Sequence, residues 1–264
     1  MFVKKFKSDF FLTNINKNRN KVSLVFFDSD ANSFKLYTSN VNRTFFRSFV
    51  AMDAIFQRNE IQLGATCIHT VQFPEFNPEE YLHVLTDSEL DRYRSFSHIK
   101  RQREFIATRA LRHELYGNEH IHYTPEGAPY IDKDTFISIS HSGNMVAIAE
   151  NHSFPVGLDL ELIRKDIQRV MHKFLSEAEL DFFDCEDATL VTSIWSAKET
   201  LYKLAGRKQI LFSDELHISR VNDQWRGRIV NPDHDLLVNL DIFERNGIIF
   251  TLNSSRVEHV KRDS

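Results

Sequence analysis

Apolar positions repeat along this chain with two periods, one suited to strands and one to helices. Val22-Ser23-Leu24-Val25-Phe26-Phe27 predicts a strand closed by a turn cluster from Asp28 to Ser33. Ala65-Thr66-Cys67-Ile68-His69-Thr70-Val71 predicts a second strand, broken by Phe73-Pro74. Thr86 and Glu89 have capping-box spacing ahead of Leu90 and Tyr93, and a longer helix fits Arg101 to Tyr116 with Gly117 as its stop. Phe136-Ile137-Ser138-Ile139-Ser140 alternates, a hairpin turn is expected over Ser140-His141-Ser142-Gly143, and Met145 to Ala149 resumes as a strand. Val156 to Leu162 places Val156, Leu158, Leu160 and Leu162 on one face and Asp159 and Glu161 on the other. A second capping box is spaced over Ser176 and Glu179. A helix follows in which Leu190, Ile194, Ala197, Leu201, Leu204 and Ala205 share one side, with Glu199 and Lys203 roughly opposite. Strand-like pieces lie near Leu216 to Ile218, Leu237 to Leu240 and Ile248 to Leu252. The order, helix then strands in residues 64–150 and strand, helix, then strands in 151–264, is an α/β (α+β) pattern with a coarse internal echo.

Composition narrows the class. With 264 residues, 42% hydrophobic and 27% charged, the chain is long enough for a substantial core and is not of disordered composition. No apolar run reaches the ~18 residues of a membrane span and the N-terminus lacks a signal-peptide core, so a cytoplasmic protein is expected. Cys67 and Cys185 form no disulfide framework and no paired metal-ligand spacing, and are expected to be small packing residues. A net charge of -4 gives no global basic footprint, which argues against general nucleic-acid binding. Residues 1–60 stand apart. They hold 11 of the 23 phenylalanines, and six basic residues against one Asp lie in the first 22. So many phenylalanines predict a segment packed on the body.

Three groups of side chains could carry chemistry. Glu199 and Lys203, four apart on a helix, form by themselves an ordinary solvated pair worth ~0.2–0.5 kcal/mol. Asp159 and Glu161, adjacent on one strand face, repel each other unless a divalent cation lies between them. Arg92, Arg94, Lys100, Arg101, Arg103, Arg109 and Arg112 populate the expected exposed faces of the first helices, either as solvated charges or as a phosphate or acidic-partner site. Ser140 beside His141 lacks a Gly-x-Ser-x-Gly elbow, and neighbours on an extended chain point oppositely, which disfavours a hydrolase dyad.

Gly127-Ala128-Pro129-Tyr130-Ile131, Ser138-Ile139-Ser140-His141-Ser142-Gly143, Val156-Gly157-Leu158-Asp159-Leu160-Glu161 and Trp195-Ser196-Ala197-Lys198-Glu199-Thr200-Leu201-Tyr202-Lys203 occur in that order. Together they resemble the motifs of the surfactin-type 4′-phosphopantetheinyl transferases, over about residues 64–264. The resemblance implies a monomer of two similar α/β halves, 61–150 and 151–264, forming a pseudo-dimer with coenzyme A in the cleft between them. It implies transfer of the phosphopantetheine arm to a serine of an acyl or peptidyl carrier protein, with release of adenosine 3′,5′-bisphosphate. Carried over by position, Asp159, Glu161 and Glu199 would hold Mg²⁺, and Lys203 would reach a phosphate. Glu199 or a metal-bound water would accept the serine proton, which makes Glu199, Lys203 and Asp159 the catalytic set. Arg103 matches the arginine at the 3′-phosphate. Arg92, Gly127, Ala128, Pro129, Ser140, His141 and Lys198 complete the coenzyme A positions with Lys203. Ala128 departs from the pattern, since many relatives carry Lys in that turn. Residues 1–60 have no counterpart. A non-catalytic coenzyme A or carrier-protein binding module is the alternative; it would keep Arg103 and His141 but not need the carboxylates. The pathway served, in fatty-acid or secondary-metabolite synthesis, is not encoded by these motifs.

Overall fold

The computed structural model describes residues 55–117, 119–206, 208–231 and 234–260, together with the backbone of three earlier strands. Those strands, β1 (Phe10–Phe11), β2 (Val22–Asp28) and β3 (Ser33–Ser39), form an antiparallel sheet in the order β1-β2-β3. β2 and β3 pair in register from Val22 with Ser39 to Asp28 with Ser33; the turn expected between them lies outside the described residues. The chain divides into the unit 1–55 and the unit 56–264. The packing on the body expected of residues 1–60 rests, for residues 1–54, on side chains that lie outside the described residues.

The larger unit begins with β4 (Gln57–Leu63), a strand that the alternation did not reveal. β5 (Thr66–Gln72) follows, then α1 (Asp87–Arg94) and α2 (Ile99–Tyr116). Next come β6 (His122–Tyr123), β7 (Pro129–Asp132), β8 (Thr135–Ser142) and β9 (Met145–Asn151). These strands form one antiparallel sheet, ordered β4-β5-β9-β8-β7-β6. Then come β10 (Leu158–Leu162), α3 (Glu177–Phe182), α4 (Ala188–Leu204), α5 (Phe212–Glu215), β11 (Leu216–Val221) and β12 (Gln224–Val230). β13 (Asp235–Arg245), β14 (Ile248–Asn253) and β15 (Glu258–His259) complete the chain. The second antiparallel sheet is ordered β10-β14-β13-β12-β11, with β15 on β13. The fold is mixed α+β.

Both capping boxes form. Thr86 and Ser176 each accept an N3 amide, while Glu89 and Glu179 return to the cap amides. The helices end differently: Gly117 takes φ 63 beyond α2, a conformation that favours glycine. The expected hairpin turn at Ser140 starts later. β8 continues through Ser142, and the turn is Gly143-Asn144, with Gly143 at φ 59.

The two sheets meet face to face. Ile68, Met145, Ala147 and Ala149 of the first pack against Leu158, Leu160, Ile248, Phe250 and Leu252 of the second. At ~1.5–3 kcal/mol for each large side chain buried, this layer fixes how the sheets sit against each other. α4 lies on the far side of the second sheet, with Val191, Ile194, Ala197 and Leu201 in a core with Leu216, Ile218, Ile229, Val238 and Leu240. Two glycines permit this approach. A Cβ on Gly227 would lie 2.5 Å from Leu201 Cδ2, and one on Gly157 would lie 2.9 Å from the backbone oxygen of Thr200. The glycine of the Gly157-x-Asp159-x-Glu161 stretch therefore sets the distance between β10 and the helix that carries Glu199.

Candidate active site

β8 and β10 belong to different sheets and are joined by hydroxyl groups. Ser138, Ser140 and Ser142 alternate on β8, and their Oγ atoms accept hydrogen bonds from the amides of Leu158 (2.9 Å), Leu160 (3.1 Å) and Leu162 (2.8 Å). β10 is an edge strand, so these are amides that no neighbouring strand pairs. The serine spacing, read in sequence only as alternation, is the signal for this seam. Ser140 also donates to Asp159 Oδ1 at 3.0 Å and is itself buried. Its hydroxyl is thus committed to positioning Asp159. The resemblance places Ser140 among the coenzyme A contacts; in the structure its Oγ engages Asp159 and the Leu160 amide.

Asp159 Oδ1 also accepts from Lys203 Nζ at 3.0 Å, while Oδ2 is buried and accepts no hydrogen bond. Glu161 Oε1 accepts from Trp195 Nε1 at 2.8 Å. Burial, with the charge of Asp159 adding to it, pushes the Glu161 carboxyl up. Burial likewise leads in raising Glu199 to about 7, reinforced by Asp159 and Glu161 and opposed by Lys203. Three carboxylates that influence one another thus share a single ammonium. The unpartnered buried oxygen and this excess of negative charge fit a hard divalent cation bound through oxygen.

The two lysines of α4 differ in the donors they have left. Lys203 Nζ gives two hydrogen bonds, to Leu158 O (2.6 Å) and Asp159 Oδ1 (3.0 Å), which leaves one of its three protons for a ligand. Lys198 gives three, to Phe174 O (2.5 Å), Glu179 Oε2 (2.6 Å) and Phe212 O (3.0 Å), and is 0% exposed. Lys198 has no proton left to offer coenzyme A. The resemblance places Lys198 among the coenzyme A contacts; the structure places it in a buried ion pair with Glu179.

Lys203 also lines a cleft of about 280 Å³ beside the carboxylates. Arg92, Arg101, Arg109 and His141 share that lining with Gly127, Ala128, Pro129 and Tyr123. Arg103 does not line it. Its Nε donates to Phe76 O at 2.7 Å and its NH1 lies 3.5 Å from Glu75 Oε1. On α2, residues two apart are ~200° apart around the axis, so Arg101 faces the cleft and Arg103 faces away. Of the two, Arg101 is the one the structure brings to the cleft, a difference that the period of the helix carries.

Glu104 organises this end of the cleft. Buried itself, it lies 3.2 Å from Arg101 NH1 and 3.4 Å from His141 Nδ1, while Arg101 NH1 also contacts His141 Nε2. A guanidinium donating to Nε2 makes that nitrogen an acceptor, which places the imidazole proton on Nδ1, toward Glu104. Burial, then the charges of Arg101 and Lys203, hold His141 below its ordinary value against the pull of Glu104 and Asp159. Arg109 and Arg112, expected to be exposed, are buried on Glu89, at 2.6 and 3.1 Å. Arg109 NH2 donates to Tyr123 OH at 3.2 Å, and the Arg92 guanidinium sits 5.0 Å from the centre of the Tyr123 ring. Arginine, imidazole and ammonium groups in one cleft make a polyanion site.

The raised carboxyls carry a pH prediction. Between its ordinary 4.5 and about 7, folded Glu199 holds a proton that the unfolded chain has released, so without a divalent cation its contribution to stability falls as pH rises through this window. Glu161 acts in the same sense. Depressed His141 acts in the opposite sense, its contribution being lost as pH falls, so the comparison with a variant isolates Glu199. Glu199→Gln should raise Tm more at about pH 8 than at about pH 5, read by thermal unfolding in a chelator. A difference independent of pH would contradict the assigned environment.

Residues 155–240 match the model of the 4′-phosphopantetheinyl transferase superfamily. The chain is also similar to the 4′-phosphopantetheinyl transferase HetI of Nostoc sp. strain PCC 7120, with 24% identity over 162 residues that cover 53% of this chain and 68% of the relative. No helix among the described residues is long and apolar enough to cross a membrane. The matched span contains β10, α4, the carboxylate cluster and Lys203, so the similarity to the 4′-phosphopantetheinyl transferase superfamily falls on the residues of this site.

Proposed function

We propose that the protein transfers the 4′-phosphopantetheine arm of coenzyme A to a serine of an acyl or peptidyl carrier protein, with Mg²⁺ as cofactor, as a cytoplasmic monomer. The observation that carries this reading is the position of Lys203, which pairs with Asp159 on one side and lines the cationic cleft on the other. Phosphate recognition and the carboxylate cluster are thereby adjacent.

Asp159, Glu161 and Glu199 would hold Mg²⁺, which when bound supplies charge neutralisation to a pyrophosphate. Arg101, Arg92 and His141 bind the phosphates of coenzyme A in the cleft, and Glu104 holds two of these groups in place. Lys203 gives its remaining proton to a pyrophosphate oxygen. The carrier serine attacks the β-phosphorus, its proton passing to Glu199. Adenosine 3′,5′-bisphosphate leaves with the electron pair of the broken P–O bond. Alignment and electrostatics supply most of the catalysis.

A calorimetric titration with coenzyme A tests the cleft. Arg101→Ala should weaken binding at least about tenfold, in line with the ~1.5–3 kcal/mol of a hydrogen bond to a charged group, and Arg103→Ala should change it far less. The reverse order would overturn this assignment of the phosphate contacts.

The carrier docks in a groove of about 380 Å³ next to the cluster. Phe174, Trp195, Leu211 and Phe212 line it, and Arg164 and Lys173 contribute positive charge. Leu211 is 62% exposed, and Trp195 on the groove wall donates to Glu161, so a partner seated there lies against the carboxylates. An apolar groove with basic residues fits an acidic helical partner. Leu211→Asp should raise KM for the carrier at least about tenfold, about 1.4 kcal/mol, with KM for coenzyme A unchanged. An unchanged carrier KM would move the docking surface elsewhere.

A further inference from the structure

Away from the cleft, β4 and β5 bring three different metal-binding side chains together. Cys67 and His69 alternate on β5 and so share a face, and Glu60 is directly opposite His69 in the ladder. Their thiol, imidazole and carboxylate donor atoms lie within 4.8 Å of one another. This is the face that α2 covers. Arg58, two residues before Glu60, lies 2.5 Å from Glu114 of α2, and Cys67 is close enough to Tyr116 of α2 to act on its phenol.

His69 Nδ1 and Glu60 Oε2 stand 3.6 Å apart, beyond hydrogen-bond distance. Two ligand atoms each about 2.1 Å from a tetrahedral ion are separated by ~3.4 Å, so the observed spacing is nearly that of two ligands on one ion. One sulfur, one nitrogen and one oxygen donor select a borderline-soft cation over Mg²⁺, which takes oxygen ligands in octahedral geometry.

We propose that Glu60, Cys67 and His69 form a binding site for zinc or a cation of the same class, separate from the Asp159, Glu161 and Glu199 cluster. Three protein ligands leave the fourth tetrahedral position to water or an exogenous ligand. Cys67 binds as the thiolate and releases its proton to solvent, and the ion ties edge strand β4 to β5. The cysteine spacing could not reveal this set, because strand pairing and not sequence proximity supplies the carboxylate.

Cobalt(II) titration of the full chain in excess Mg²⁺, which occupies the oxygen cluster, is the test. One equivalent should produce tetrahedral visible bands and a thiolate-to-cobalt charge-transfer band. That band should be abolished by Cys67→Ser, weakened at least tenfold in apparent affinity by His69→Ala and Glu60→Gln, retained in Cys185→Ser, and removed by added Zn²⁺. Circular dichroism of the Cys67→Ser chain establishes that it is folded. Absence of a thiolate band in the wild type, or its persistence in Cys67→Ser, would overturn the proposal.

Discussion

Glu199→Gln is expected to lower the transfer rate by about 10²–10⁴-fold, the range for loss of a positioned general base, while the folded protein is retained. The amide keeps the size of the side chain but removes both the proton acceptor and one anionic oxygen from the set facing Asp159 and Glu161. Because it also removes the like-charge repulsion that helps raise the Glu199 carboxyl to about 7, the same substitution should stabilise the metal-free chain. Lost turnover with gained stability is a signature that a merely structural residue would not produce. Activity within a few-fold of wild type, measured at saturating coenzyme A, would remove Glu199 from the reaction.

Lys198→Met is expected to have the largest effect on stability, about 3–5 kcal/mol, because it leaves one partner of a buried ion pair uncompensated. Glu179 would keep the amides of Ser176 (2.8 Å) and Ile218 (2.7 Å) but lose the Lys198 ammonium (2.6 Å). For a chain of this length the corresponding fall in Tm is on the order of 10 °C. Combining Lys198→Met with Glu179→Gln should recover part of the loss. Lys198 also holds the carbonyls of Phe174 and Phe212, two residues of the carrier groove, so any surviving activity should show a raised KM for the carrier. A stable variant with weakened coenzyme A binding would instead return Lys198 to the phosphate site.

Local signals in the sequence held where chemistry is decided within a few residues. The Thr86 and Ser176 capping boxes, the Gly117 stop and the Asp159/Glu161 strand were all legible, because caps and alternation depend on near neighbours. Features made by packing were not. Arg109 and Arg112 read as solvated helix charges, since nothing local shows that the capping carboxylate of Glu89 turns both inward. Arg101 and Arg103 have the same chemistry, and only the side of α2 that meets the cleft separates them. β4, whose sequence Gln57-Arg58-Asn59-Glu60-Ile61-Gln62-Leu63 is mostly polar, is an edge strand and shows little apolar alternation. The serine ladder of β8 required knowing that β10 leaves its outward amides unpaired.

In the proposed function the carboxylate cluster and the cationic cleft together move phosphopantetheine onto a carrier serine. Incubating the full chain with coenzyme A and an apo-carrier protein, with Mg²⁺ or with a chelator, and weighing the carrier by mass spectrometry tests it most directly. A gain of one phosphopantetheine on the carrier serine is expected with Mg²⁺, and none in the chelator or with the Glu199→Gln protein. No gain on any of several acyl and peptidyl carriers with Mg²⁺, from protein that binds coenzyme A, would contradict it.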